Sequence, residues 1–253
     1  MSRYHRCSGF VLVACFACLA TTARAGVDEP VYVVDSPTAG MLGHGEYRIQ
    51  GRIGVESSIQ FGVRVGIREV VHLGVSFGMQ RVFERASVEL NDRVGFQVRF
   101  RLLQEGESPA LAVGFNNQGT GRWDEGRERY ERKSKGFYAV LSRNWTAIVG
   151  QFSAHGGVNY STETTDESGV NLFAAIDWEP VSGFAILFDW DAALDDKQED
   201  GDFGRGRSYL DAALRVTYGD NLSMMLTFRD LTGNYEPSPR VWREFEVAFV
   251  DLF

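Results

Sequence analysis

The chain has 253 residues, with 26 Lys+Arg against 34 Asp+Glu, a formal charge of −8, 44% hydrophobic residues and 28 glycines. An acidic balance of this kind argues against a nucleic-acid partner. The three cysteines are Cys7, Cys15 and Cys18, so the remainder of the chain has no thiolate metal site, disulfide or cysteine nucleophile.

Residues 1–25 read as a secretory signal peptide. Arg3 and Arg6 form a basic start, Phe10 to Ala20 an apolar run, and Ala23-Arg24-Ala25 an A-x-A cleavage site. The apolar run is too short for a membrane helix. A lipoprotein signal, with Leu12-Val13-Ala14 before Cys15, is the competing reading. The leader carries three of the 26 basic residues and no acid, so cleavage takes the charge from −8 to −11. Residues 26–44 are expected to form a periplasmic lead-in, and 45–253 a single β-domain.

The segment Tyr47–Met79 sets the pattern for that domain. Tyr47, Ile49, Gly51, Ile53 and Val55 alternate with Arg48, Gln50, Arg52 and Gly54. Ile59, Phe61, Val63, Val65 and Ile67 alternate with Gln60, Gly62, Arg64 and Gly66. Val71, Leu73, Val75, Phe77 and Met79 alternate with His72, Gly74, Ser76 and Gly78. Side chains on a strand point to opposite faces with period two, so each segment has one apolar and one polar face. Strands of about 9–11 residues with apolar-out, polar-in alternation fit a transmembrane barrel. A soluble β-sandwich, which would bury its apolar faces against each other, is the competing fold.

Twelve strands are expected at 45–55, 58–67, 70–80, 93–103, 109–116, 135–143, 146–156, 169–179, 182–191, 207–218, 221–230 and 241–253. Tight connections (68–69, 104–108, 144–145, 180–181, 219–220) alternate with long polar ones after the first loop. Short periplasmic turns and longer extracellular loops have this arrangement. The fold class is therefore all-β: a closed antiparallel transmembrane β-barrel of about twelve strands. No later run reaches the roughly 18 consecutive apolar residues of a membrane helix, so spanning must be by strands. Tyr47, Trp145, Trp178, Trp190, Tyr218, Trp242 and Phe253 fall at strand ends, where interfacial aromatics belong. Phe253, closing the Phe245, Val247, Phe249 series, resembles the terminal assembly signal of outer-membrane barrels, with Asp251 departing from it.

The inward face is charged in blocks. The early strands supply Arg48, Arg52, Arg64, Arg68, Arg93, Arg99 and Arg101. The late ones supply Asp177, Glu179, Asp189, Asp191, Asp211, Glu244 and Glu246. Closure sets the last strand beside the first, so Glu244 and Glu246 are expected to face Arg48 and Arg52. Arginine is the favoured carboxylate partner in a confined site. These charges either pair across the lumen and fill it or line a selective channel.

Little points to chemistry. His72 and Ser76 are four apart on one strand, about 13 Å, too far for a dyad. The closely spaced His-Ser signature of outer-membrane phospholipases is absent. Asp196-x-Gln198-x-Asp200-Gly201 resembles the start of a calcium loop, but its twelfth position is Arg207 rather than Glu, so a solvated acidic loop is expected. The mixed charges of Asn116–Ser134 fit mutual pairing or contact with lipopolysaccharide or a glycan. No catalytic residue, cofactor or metal is expected.

Pro109-Ala110-Leu111-Ala112-Val113-Gly114-Phe115, then Gln118-Gly119-Thr120-Gly121, then Lys133-Ser134-Lys135-Gly136-Phe137-Tyr138-Ala139-Val140 resembles the YjbH-like outer-membrane proteins associated with exopolysaccharide production. Ser36-Pro37-Thr38-Ala39-Gly40 with Gly45 is similar to the opening of such barrels. The match covers about a fifth of the chain, which is much shorter than those proteins. The resemblance implies the cell outer membrane, with lipid, lipopolysaccharide and the barrel assembly machinery as partners, and a role in polysaccharide export. A closed barrel has no free strand edge, so a monomer is expected. The non-enzymatic barrel and the small passive or charge-selective pore remain open, with a lipid-modifying enzyme as a third class.

Overall fold

The computed structural model describes residues 30–54, 57–84, 87–163, 169–196, 203–219, 221–235 and 241–253. Twelve long antiparallel strands form one sheet: β1 (Glu46–Ile53), β2 (Ile59–Ile67), β3 (Val71–Gln80), β4 (Gly95–Leu103), β5 (Ala110–Asn116), β6 (Gly136–Ala147), β7 (Gly150–Tyr160), β8 (Val170–Val181), β9 (Phe184–Asp191), β10 (Tyr209–Tyr218), β11 (Leu222–Arg229) and β12 (Trp242–Leu252). Each pairs with its neighbour in sequence, and β12 pairs with β1 from Phe245↔Ile53 to Leu252↔Glu46, so the sheet closes. Closure satisfies every strand edge, the condition for strands to cross hydrocarbon. None of the described residues forms an α-helix.

The period-two pattern sorts the faces as expected. Phe61, Val75, Phe77, Leu141, Ile176, Phe188, Leu226 and Val247 are exposed on the outside, while Arg64, His72, Asp189, Thr227 and Glu246 are buried inside. An exterior this apolar around an interior this polar inverts a soluble core and suits a lipid-facing barrel. Arg243 and Asp251 also fall in the outward register, but at opposite ends of β12, at the margins of the apolar belt, where Asp251 reaches the rim of the lumen.

The β6–β7 turn lies at Ile148–Val149 rather than at 144–145, because Arg143 to Ala147 stay paired with Gly150 to Ala154. Arg68 is not on the inward face. It forms the β2–β3 turn with Glu69, both at positive φ (54° and 56°), the dihedrals that match a hairpin's twist. Arg93 precedes β4, is exposed and stacks on Trp123 at 4.3 Å. Trp242 leaves the aromatic girdle and stacks on Tyr235 at 4.9 Å, against a cluster of Ala193, Phe203 and Tyr209.

The segment expected as a periplasmic lead-in does not stay outside. From Pro30 onward it enters the barrel as a small hairpin, Tyr32–Val33 pairing with Ser36–Pro37. Val33 and Val34 at its tip pack on Ala175, Ala185, Leu187, Ala213 and Met225. Ala39 packs on Ala110, Ala112, Tyr138, Val140 and Phe173. Small inward side chains on these strands leave the volume it fills. Gly66 does the same where the segment leaves: a Cβ there would lie 2.3 Å from the Gly43 carbonyl oxygen.

Candidate functional site: the charged lumen

The two charged walls meet at the β12–β1 seam. Arg48 pairs with Glu246 at 3.2 Å, and Arg52 pairs with Glu246 at 3.0 Å and Glu244 at 3.1 Å. Arg229, on β11, completes the row by gripping Glu244 at 2.7 Å.

The inserted hairpin lies between the walls, and its backbone polarity matches them. Its carbonyls turn to the cationic side: Arg99 donates to Val31 and Gly40, Arg101 to Ala39, and Arg52 to Val34. Its amides turn to acceptors on the other strands. Asp35 and Ser36 donate through N–H to Asp189, the Ser36 hydroxyl adds a 2.5 Å bond, and Ala39 donates to Ser142. Leu42 N–H donates to His72 Nε2 on β3, which fixes the ring as an acceptor there. Arginines donate and carboxylates accept, so a lumen divided by charge can solvate both edges of an extended peptide in place of water.

Asp35, near the hairpin tip, is the pivot. It pairs with Arg52 at 2.9 Å and Arg229 at 2.6 Å, lies 3.8 Å from Arg132, and accepts from Thr120 at 3.0 Å. Burial alone would push its carboxyl up. Arg229, Arg52 and Arg132 outweigh that and hold it well below the ordinary carboxylate range. Val34 beside it sits at φ 50°, a conformation that costs a β-branched residue about 1–3 kcal/mol and persists only where the surroundings enforce it.

The remaining charges also find partners. Asp177 pairs with Arg215 at 3.3 Å. Asp211 takes Arg132 at 2.5 Å and Arg229 at 3.3 Å. Asp191 takes Lys135 and the Asn171 amide. Glu179 accepts the Gly183 N–H of the β8–β9 turn. Two buried arginines have no carboxylate within ion-pair distance among the described residues: Arg99, which is spent on the hairpin carbonyls and the Tyr138 hydroxyl, and Arg64, which is held by the Gln50 and Gln97 side chains.

The outer loops fold over the top of this network. The polar loop after β5 forms a hairpin, Thr120–Asp124 with Arg129–Arg132. Its inner arginines plunge inward: Arg129 is fully buried and pairs with Asp196 at 2.7 Å. Its exposed arginines pair nearby, Arg127 with Asp124 of the same hairpin at 3.4 Å and Arg122 with Glu89 of the β3–β4 connection at 3.7 Å. Asp196 also accepts from the Tyr209 hydroxyl. It is thereby committed to the lid, and the rest of the calcium-like stretch, 197–202, lies outside the described residues. Glu163 clasps the Tyr130 and Ser134 N–H groups.

At the end formed by the short turns the lumen stays hollow. A cavity of about 1200 Å³ runs from the turn ends at Ile148 and Gly183 past Arg48, Arg64 and Gln97 to Thr120 and Arg132. Phe253 sits outside it, exposed, with its N–H on the Gly45 carbonyl and its ring 6.4 Å from Tyr47.

The alternation left one histidine contact unseen. His155 and Ser142 are directly opposite on β7 and β6, and His155 Nδ1 lies 2.8 Å from Ser142 Oγ. His155 Nε2 has no partner among the described residues, both residues are buried, and neither lines the cavity. The Ser142 oxygen is already taken by Ala39, so the pair works as a mount for the inserted segment. His72 and Ser76 do not meet; Ser76 bonds Gln118.

The resembling motif has a structural account. Thr120 holds Asp35, Lys135 holds Asp191, and Gly136 adopts φ 59° at the start of β6. Gln118 and Gly119 line the cavity.

No family model and no curated protein sequence matches the chain. Among solved structures it is similar to the NanC porin, at 9% identity over 82% of this chain and 99% of that one, TM-score 0.46. It is similar to the outer membrane phospholipase A of Escherichia coli at 10% identity over 84% and 91%, TM-score 0.40. It is also similar to the translocator domain of autotransporter NalP from Neisseria meningitidis, at 13% identity over 82% and 86%, TM-score 0.38. These likenesses concern the barrel, and none bears on what this chain does.

Proposed function

We propose that this chain is a non-enzymatic barrel of the cell outer membrane whose lumen is held shut by its own N-terminal hairpin. The observation that carries the reading is Asp35, inserted at the tip of that hairpin and gripped by arginines of both β1 and β11. The apolar exterior and the sorting of short and long connections support the membrane and the orientation. A role accessory to polysaccharide export rests on the resemblance to YjbH-like proteins, and its motif residues serve here to hold the hairpin and the lid. A small charge-selective pore is the second reading, favoured by the cavity of about 1200 Å³ on the periplasmic side.

Conductance in planar bilayers tests the choice. The closed barrel gives no steady open state, and removal of residues 30–44 opens it. A steady open state in the intact protein overturns closure and favours the pore. Hydrolysis of detergent-dispersed phospholipid that disappears in His155→Ala would overturn the non-enzymatic reading.

A further inference from the structure

We propose that Arg64 anchors an oxyanion-binding site in the periplasmic vestibule, taking the carboxylate or phosphate group of a small solute. The site goes beyond a shut barrel. It rests on that reading in one respect, because Tyr32 of the inserted hairpin forms one of its faces.

Arg64 is 8% exposed and lines the cavity. Its Nε donates to Gln97 Oε1 at 2.6 Å and its Nη1 to Gln50 Oε1 at 2.5 Å, and its guanidinium lies 4.7 Å from the Tyr32 ring centre. Its Nη2 donates to none of the described residues. An arginine buried with neutral partners is rare, because its charge loses water without gaining an opposite charge. The register makes the deficit worse. Arg48 is directly opposite Arg64 on β1, and like charges in that position repel. The nearest carboxylate that could help, Glu246, is divided between Arg48 and Arg52.

The surrounding groups are set as donors. Arginine has no acceptor, so Gln50 and Gln97 must turn their oxygens to it, leaving both NH2 groups without a described partner. A fork of guanidinium N–H with two flanking amides matches a planar or tetrahedral oxyanion. Gly74 makes the geometry attainable. It is opposite Arg64 on β3, and a Cβ there would lie 2.9 Å from Arg64 Cγ. The other acids lining the vestibule, Glu46, Glu179 and Asp251, belong to strand ends at its mouth, and Asp35 is gripped by its arginines.

The test is calorimetric titration of the full-length protein in detergent with inorganic phosphate, with acetate as a carboxylate arm and sodium chloride at matched ionic strength as control. Saturable heat is expected with phosphate, acetate or both, and the arm that saturates names the source. Arg64→Gln should weaken that binding at least tenfold. Arg64→Lys keeps the charge and loses the fork, so it should bind with intermediate affinity. Gly74→Ala leaves every charge in place and should weaken binding by displacing Arg64. Boiled and unboiled gel mobility identifies variants that still form the barrel. Absence of saturable binding in the intact protein, equal binding by folded Arg64→Gln, or saturation by chloride overturns the site. A conducting barrel that binds phosphate through Arg64 would overturn closure and keep the site. A silent barrel without Arg64-dependent binding would do the reverse.

Discussion

The two walls of the lumen carry opposite charge and do different work. Asp177, Asp189, Asp191, Asp211, Glu244 and Glu246, on β8 to β12, are all engaged by arginine, lysine or backbone N–H. On β1 to β4, Arg48 and Arg52 are neutralised by carboxylates, whereas Arg64 and Arg99 are held by amides, carbonyls and tyrosine rings. The acidic wall is saturated and acts as a clamp. The basic wall retains unneutralised charge beside open volume. The general lesson is that opposite charges facing each other in a barrel do not by themselves make it inert; what matters is which of them the inserted segment consumes.

The largest effect should come from removing the element both walls share. Asp35→Ala leaves Arg52, Arg229 and Arg132 facing one another with a carboxylate removed. Breaking a buried pair from one side costs about 3–5 kcal/mol, so the urea midpoint of the refolded protein should drop and bilayer channels should open. Unchanged stability and silence would mean that the hairpin is held by its apolar tip alone.

The next effect separates the walls. Asp189→Asn strikes only the acidic one, weakening three bonds to Asp35 and Ser36. Hydrogen bonds to a charged group contribute about 1.5–3 kcal/mol each gross of relaxation, and Asn retains one acceptor. A loss of about 1–3 kcal/mol is expected, read as faster proteolysis of the N-terminal segment with barrel mobility on gels unchanged. Resistance equal to wild type would shift the clamp to the basic wall.

A smaller, pH-dependent effect belongs to the outer lid. Burial pushes the Glu163 carboxyl up, and burial against a weaker pull from Lys133 pushes Asp195 up to about 6. A raised acid binds its proton more tightly in the folded lid than in the released one. Its stabilising contribution is complete below the ordinary carboxylate value near 4 and fades as pH rises to about 6 for Asp195. Amide exchange at Tyr130 and Ser134, corrected for intrinsic rates, should therefore be slower relative to expectation at pH 4 than at pH 7. Asp195→Asn should flatten the dependence above pH 4, and a slope of the opposite sign would contradict the burial of these groups.

How much of this was legible in the sequence depends on distance along the chain. Twelve strands and their facing were readable because alternation is local: Phe61 and Arg64 sort to opposite faces whatever else the chain does. The seam of Arg48, Arg52, Glu244 and Glu246 was readable from closure, since an antiparallel barrel places its last strand beside its first. The turn at Ile148–Val149 was not, because two apolar residues carry no turn chemistry and only the register with Gly150 places it. His155 with Ser142 was missed because the pair is made across two strands. Ser142 was assigned no role, although the two are directly opposite once the β6–β7 register is set.

The inserted hairpin is the clearest division between the two levels. Its signal was present as inward Ala112, Ala175, Ala185 and Ala213, too small to fill a barrel, and as a surplus of inward charge with no stated partner. Neither feature names its occupant. By itself the sequence determined long strands with one apolar and one charged face, because period-two alternation is local, and the loop sorting favoured a closed barrel with the charges inside over a sandwich. Only the tertiary structure decided that Asp35 would stand between the walls and that Arg64 would not be neutralised. Those outcomes depend on register and on where the first residues of the domain come to rest, which no local spacing encodes.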